Sequence, residues 1–269
     1  MKIISFNVNG VRARLHQLKV LVDIHRPDVV GLQEVKVVDD SFPMNFFNDL
    51  GYHVETFGQK GHYGVAIMSL KKPVDVQRGF PGDDKNAQRR FITGTFVDDK
   101  QKPFIVMNGY FPQGEEREHP IKFPAKRKFY SDLLSYLQSD FRIDDNILIM
   151  GDMNIAPEEN DIGIGAKNAQ RWLKTGKCCF LPEEREWLNN LKNWGLEDVY
   201  RTLNPESKKL SWFDYRSKGF EDDPKRGLRI DLLLATKAFA KRFSESGIDH
   251  EIRAMEKPSD HAPIWGVFD

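Results

Sequence analysis

Apolar runs in this chain repeatedly break off at a side chain that can bind a cation or move a proton. Asn146-Ile147-Leu148-Ile149-Met150 stops at Gly151-Asp152-Met153-Asn154, Ile3-Ile4-Ser5-Phe6 ends at Asn7, and Val29-Val30-Gly31-Leu32-Gln33 ends at Glu34. The run from Phe104 to Gly109 leads into Tyr110, Asp231 sits between Ile230 and Leu232-Leu233-Leu234, and Asp260-His261 precedes Ala262-Pro263-Ile264-Trp265. A short continuous apolar run reads as a buried strand. One Asp or Asn at a strand end is ordinarily a turn former or a cap. The same feature at the end of run after run is not turn chemistry, because a sheet core does not need it. It predicts one site where the core opens to solvent, suited to a hard cation and a phosphoester. Glu34, Asp152 and Asp260 are the candidate metal carboxylates, with Asn7 and Asn154 adding neutral oxygens or orienting a water. Mg²⁺ prefers octahedral oxygen ligation and is held by one or two carboxylates plus substrate phosphate. An acidic cluster with one neighbouring histidine and no cysteine favours Mg²⁺ or Mn²⁺ over Zn²⁺.

These groups have to be carried by regular elements. Val11, Leu15, Leu18 and Val22 fall at helical spacing after the first strand, giving a strand–helix–strand opening. Phe129, Tyr130, Leu133, Leu134 and Leu137 repeat that pattern after Pro124, a first-turn proline. A third helix is expected to start near Pro182, bury Trp187, Leu188 and Leu191, and stop at Gly195. Ser211 and Phe213 alternate around Trp212 as in a strand. Strands outnumber clear helices, so the expected fold is a four-layer α/β sandwich: two packed mixed β-sheets flanked by helices. No Gly/Ser linker divides residues 1–269, which predicts a single domain. Strands ending in Asn or Asp in both halves hint at an internal duplication.

Composition narrows the class further. With 40 basic and 40 acidic residues the chain cannot coat nucleic acid by bulk charge, although a basic face opposite an acidic pocket remains open. The two cysteines, Cys178 and Cys179, are adjacent, so they supply neither a disulfide framework nor zinc-ligand spacing. The amino terminus turns polar too soon for a signal peptide. No apolar run approaches the roughly 20 residues of a membrane helix. The expectation is a cytoplasmic protein, with nothing that demands an obligate oligomer.

Read together, the motifs resemble a known family. Ile4-Ser5-Phe6-Asn7-Val8-Asn9-Gly10, Leu32-Gln33-Glu34-Val35-Lys36, Gly109-Tyr110-Phe111-Pro112-Gln113-Gly114, Gly151-Asp152-Met153-Asn154, Gly227-Leu228-Arg229-Ile230-Asp231 and Ser259-Asp260-His261-Ala262-Pro263 are similar to those of the exonuclease III group of bacterial apurinic/apyrimidinic endonucleases, within the endonuclease/exonuclease/phosphatase superfamily. Each motif is weak alone; the ordered set, from Met1 to the last strand, is specific.

The resemblance implies roles. Glu34 ligands the metal, helped by Asn7 and Asp260, with Asp152, Asn154 and His261 completing the metal-site set. Asp152, bonded by Asn154, deprotonates the attacking water. His261, held by Asp231, stabilises the transition state, or is itself the base. Tyr110 donates to the phosphate or acts as a phenolate. Arg89, Arg90, Lys122 and Lys126 are the expected DNA-phosphate contacts, and Gln113 is a polar finger near the lesion. Trp212, Leu228 and Ile230 form a pocket for a flipped, base-free sugar. The implied activity is Mg²⁺-dependent: cleavage of double-stranded DNA 5′ to abasic sites, 3′-to-5′ degradation from 3′ ends, and removal of 3′-blocking phosphates. Two other readings stand beside it, a family phosphodiesterase with a different substrate and a catalytically silent DNA-binding scaffold.

Overall fold

The structure, a computed structural model, describes residues 1–269. The apolar runs form the central strands, and their pairing builds two six-stranded sheets. In the first, the order is β11 (Phe243–Ile248), β12 (Ile264–Phe268), β1 (Lys2–Asn7), β2 (Val29–Gln33), β4 (Val65–Ser69), β3 (His53–Phe57). In the second, it is β5 (Asp75–Arg78), β6 (Phe91–Val97), β7 (Pro103–Tyr110), β8 (Ile147–Asp152), β10 (Asp231–Thr236), β9 (Leu196–Asp198). Each sheet has one parallel pair at its centre, β1 with β2 and β7 with β8, and antiparallel neighbours outward on both sides. Each parallel pair is bridged by a helix, Leu15–His25 in one half and Lys122–Asp140 in the other. The duplication hinted at by the strand ends is therefore repeated in the pairing order.

Side chains of Ile3, Val29, Ile67, Val106, Leu148, Met150, Leu233 and Ile264 fill the space between the sheets. The outer face of the second sheet packs on the helices Lys122–Asp140 and Pro182–Trp194, and that of the first on Leu15–His25 and Met44–Asp49. This is the expected four-layer sandwich. No helix is long and apolar enough to cross a membrane.

One polar group interrupts the apolar interior. Gln33 Nε2 donates to Ser5 Oγ (3.0 Å) and to Asn108 Oδ1 (2.5 Å), while Asn108 Nδ2 donates to the carbonyls of Leu32 (3.0 Å) and Ala66 (2.9 Å). Asn108 belongs to the second sheet and its partners to the first. A buried amide left unpaired costs about 1–3 kcal/mol, so this network ties the sheets at one lateral position. Gly31 leaves room for it: a Cβ there would lie 2.6 Å from Asn108 Oδ1.

Local expectations meet mixed outcomes. The helix at Pro182–Trp194 stops before Gly195 and buries Leu188 and Leu191, with Trp187 only partly covered. Val11 falls in a separate 3-10 turn, Val11–Ala13, because Arg14, at φ −122° and ψ 13°, interrupts the helical path before Leu15. Ser211 to Phe213 form no strand; Trp212 makes only isolated bridges to Leu228 and His261.

Candidate active site

The parallel pairs end side by side at one edge of the sandwich. Tyr110 and Asp152 are register partners on β7 and β8, and Asp152 is also paired with Asp231 where β10 begins. Asn7 closes β1 opposite Gln33, the residue before Glu34. The approach of β7 and β8 here is close: Gly151 has φ +145°, and a Cβ on it would come within 1.9 Å of the Gly109 carbonyl oxygen. Side chains from both sheets thus meet across a few ångströms. Glu34, Asp152 and His261 present ligand atoms all within 4.8 Å of one another. Asn7, fully buried, donates from Nδ2 to Glu34 Oε1 (2.9 Å) and to Asp152 Oδ2 (3.0 Å). The Asn154 N–H donates to Asp152 Oδ1 (3.1 Å). His261 Nδ1 faces Asp231 Oδ2 at 2.9 Å, and its Nε2 stands 3.7 Å from Asp152 Oδ2. Behind it, Ser211 Oγ donates to Asp231 Oδ2 (2.6 Å).

Backbone strain collects here. Asn9, Glu34, Lys36 and Asn154 all hold left-handed φ, between 46° and 59°. A non-glycine residue there costs about 1–3 kcal/mol and persists only where the surroundings enforce it. Four of them around one carboxylate cluster mark a site maintained against local preference.

The electrostatics follow from burial and crowding. Burial, then the Asp231 and Glu34 carboxylates, raise the Asp152 pKa from 3.8 to about 7, against the pull of His261 and Asn7. Burial would discharge His261, yet Asp231 and Asp152 hold its pKa up at about 10. Tyr110 is driven well above its ordinary value by burial and by Glu34 and Asp152, which favours the neutral hydroxyl. The carboxylates of Glu34, Asp152, Asp231 and Asp260 outnumber the nearby cations, Lys36, Arg90 and His261. That surplus of negative oxygen fits a hard divalent cation between Glu34 and Asp152.

A folded-state pKa above the ordinary value means the folded protein binds the extra proton more tightly. For His261 the resulting stability is fully present below pH 6.5 and is lost as pH rises towards about 10. The contribution of Asp152 has already gone by about pH 7. In EDTA, the thermal midpoint is therefore expected to fall by about 4 °C or more between roughly pH 7 and 9. The His261→Gln variant should show a much flatter profile over the same interval. Parallel curves for the two proteins would contradict the charged His261–Asp231 pair.

The expected site residues separate into groups. Glu34, Tyr110, Gln113, Asp152, Asn154, Trp212, Leu228, Ile230, Asp260 and His261 all line one cavity of about 450 Å³. Asp260 stands apart from the 4.8 Å group, its oxygens accepting from Asn9 Nδ2 (2.7 Å) and Trp212 Nε1 (3.1 Å). Asn7 turns its NH₂ to the carboxylates while its Oδ1 accepts the Asn9 N–H (3.0 Å), so it bridges the two acids. Asn154 spends its carboxamide on the Phe111 carbonyl (3.0 Å) and on Cys179 Sγ (3.8 Å). His261 has the position of a ligand, its Nδ1 held by Asp231 and its Nε2 turned towards Asp152.

The phosphate contacts need correction. Lys126 is completely buried, paired with Glu184, and cannot touch DNA. Arg90 is also buried, its guanidinium over the rings of Tyr63 (4.5 Å) and Tyr110 (4.7 Å); it backs Tyr110 instead of reaching outward. Arg89 bonds Asp39 (2.9 Å) and the Gly58 carbonyl (2.8 Å), and exposed Lys122 pairs with Glu115. Neither Arg89 nor Lys122 lines the cavity, whose basic rim is Arg171, Lys177, Arg216 and Arg226. Sequence reasoning missed these four. The available signal was basic residues interleaved with aromatics in Arg171-Trp172 and Tyr215-Arg216, a pattern suited to a backbone-and-base surface. Also missed were Asn9 and Lys36, although both lay inside recognised motifs. The Lys36 ammonium is 3.0 Å from Glu34 Oε2 and bonded to Asn9 Oδ1.

Comparison with known proteins agrees with this geometry. Residues 4–261 match the model of the Endonuclease/Exonuclease/phosphatase family. The chain is 56% identical to exodeoxyribonuclease III of Haemophilus influenzae over 269 residues, covering 100% of both proteins. Among solved structures, it matches a 3′-5′ exonuclease from Neisseria meningitidis with TM-score 0.90 and 36% identity, covering 100% of both chains. It also matches a 3′ phosphatase from Neisseria bound to a product DNA hairpin, with TM-score 0.90 and 35% identity over 100% of this chain and 99% of that one. With its sandwich, its strand-end carboxylates and a match running through nearly its whole length, the chain belongs to the endonuclease/exonuclease/phosphatase family.

Proposed function

We propose that this protein is a DNA-repair nuclease that hydrolyses phosphodiesters 5′ to abasic sites in duplex DNA, digests duplexes from 3′ ends and clears 3′-phosphates. It uses Mg²⁺, with Mn²⁺ able to substitute, and works as a monomeric single domain in the cytoplasm. The observation that carries the reading is Asp152: a buried carboxylate, its pKa near 7, between Glu34 and a charged imidazole at the mouth of a cavity.

The chain's own groups divide the work. Asp152 accepts the proton of the attacking water; a base poised near the working pH is the efficient choice. Its aim is held from two sides, at Oδ1 by the Asn154 N–H and at Oδ2 by Asn7. His261, kept charged by Asp231, faces the charge that builds on the phosphate oxygens. Tyr110 adds a neutral hydroxyl donor, oriented by the Arg90 guanidinium against its ring. Glu34 would hold the cation. That ion, when bound, polarises the phosphate and shields it from an anionic nucleophile. Trp212, Leu228 and Ile230 offer an apolar wall that receives a bare deoxyribose and gives a base no hydrogen-bond partner. The Haemophilus relative is named an exodeoxyribonuclease and the Neisseria 3′ phosphatase is bound to a DNA hairpin, and the basic rim supports a polyanionic substrate.

A supercoiled plasmid carrying abasic sites tests this directly. Rapid nicking with Mg²⁺, its loss in EDTA, and little nicking of undamaged plasmid are expected. A plasmid that stays intact under all three conditions would refute the reading. Faster hydrolysis of a small phosphodiester than of abasic duplex would move the protein to another branch of the family.

A further inference from the structure

Lys126 is the only lysine among the buried residues. It lies on the inner side of the helix Lys122–Asp140, and its three N–H groups meet three acceptors. Nζ donates to the backbone carbonyls of Asn154 (2.8 Å) and Gln113 (3.2 Å) and to Glu184 Oε1, while Glu184 Oε2 accepts the Leu181 N–H (2.8 Å). Both carbonyls belong to cavity residues, and Asn154 is the residue whose N–H holds Asp152 Oδ1.

Stability alone gives little reason for this charge. A buried ion pair exchanged for neutral or apolar groups of similar volume is often neutral in stability or better. What an ammonium does, and a methionine cannot, is aim donors at two carbonyls from separate loops at once. The packing is close: a Cβ on Gly114, next to Gln113, would come within 3.0 Å of Lys126 Cδ and 2.9 Å of Cys178 Sγ. Burial opposes the charge, and Glu184 keeps the ammonium charged in spite of it.

We propose that Lys126 is a positioning residue for hydrolysis: it locks the Gln113 and Asn154 loops to each other and so sets the aim of Asp152. This rests on the nuclease reading, and an inactive parent protein would sink both. Given an active parent, variants in one background isolate the inference. Glu184→Gln keeps an acceptor for the Leu181 N–H and leaves the ammonium on both carbonyls, so its kcat on abasic duplex should stay within about threefold of the parent while its thermal midpoint drops. Lys126→Met/Glu184→Gln should recover part of that midpoint and keep KM within about threefold, yet lose about 10- to 100-fold in kcat, the scale of a displacement near 1 Å. The loss should persist at about 10 °C, where a merely loosened fold would regain activity. A folded double variant with the kcat of Glu184→Gln overturns the assignment. If that variant does not fold, Lys126→Gln/Glu184→Gln decides. Its donor is one bond shorter, which should cost at least about threefold in kcat, and undiminished turnover there is equally fatal.

Discussion

The Asp152→Asn variant is expected to lose about 10³-fold or more in kcat on abasic duplex while binding that duplex within about threefold of the parent. The amide preserves size, and its single oxygen can still accept from the Asn154 N–H, while its NH₂ replaces the oxygen that accepted from Asn7. It removes the one group near the cavity mouth whose proton affinity is tuned to neutrality. It also removes a negative charge from a cluster with too many, so the folded protein should become more stable in EDTA. Single-turnover cleavage and equilibrium binding in Ca²⁺ or EDTA separate the two effects. A variant cutting within tenfold of the parent would transfer the role of base to another residue, with His261 next in line.

Replacing Glu34 should produce an equally large loss of activity with an unusual signature in stability. Both Glu34→Ala and Glu34→Gly lose the carboxylate facing Asp152, and about 10²- to 10³-fold in kcat is expected from each. Higher Mn²⁺ should recover only part of it. The two should differ in folding because residue 34 sits at φ 51°. Alanine inherits the left-handed penalty of about 1–2 kcal/mol, and glycine does not. Glycine is therefore expected to be the more stable of the two by about 1 kcal/mol, the reverse of their usual order in regular structure. Denaturant titration of the pair measures this difference, and an alanine variant more stable than the glycine one would show that the backbone at Glu34 is unstrained.

The framework of the site was legible because hydrophobic patterning and strand ends are local signals. Asp152, Glu34 and Asn7 interrupt apolar runs, and an interruption of that kind is visible without knowing what lies across the gap. What sequence does not carry is the partner. The amide of Asn7 faces inward because two carboxylates from different sheets need its N–H groups. The same blindness affected the cations: Arg90 and Lys126 have the right charge for phosphate, and only packing reveals that both are enclosed. For Lys126 a clue was present, since it shares the helical face of Phe129, Tyr130, Leu133 and Leu137, three to eleven residues further on. A lysine in an apolar stripe asks for a buried acid, and Glu184, at the start of the next long helix, provides it. The segment around Trp212 was misread for a related reason, because alternation over three residues cannot distinguish a strand from a loop pinned by bridges to Leu228 and His261.

The amide network of Gln33, Ser5 and Asn108 has a mechanical consequence. Greasy layers in face-to-face contact can slip by small increments at little energetic penalty, since dispersion has no preferred direction. Hydrogen bonds do, and a rivet of this kind admits only one alignment. Glu34 travels with one layer and Asp152 with the other, so shear between the layers would pull apart two side chains that Asn7 now bridges. Swapping Asn108 for an aliphatic residue would leave the interior greasy and well filled, with Asn7 left to hold the two halves of the site in step.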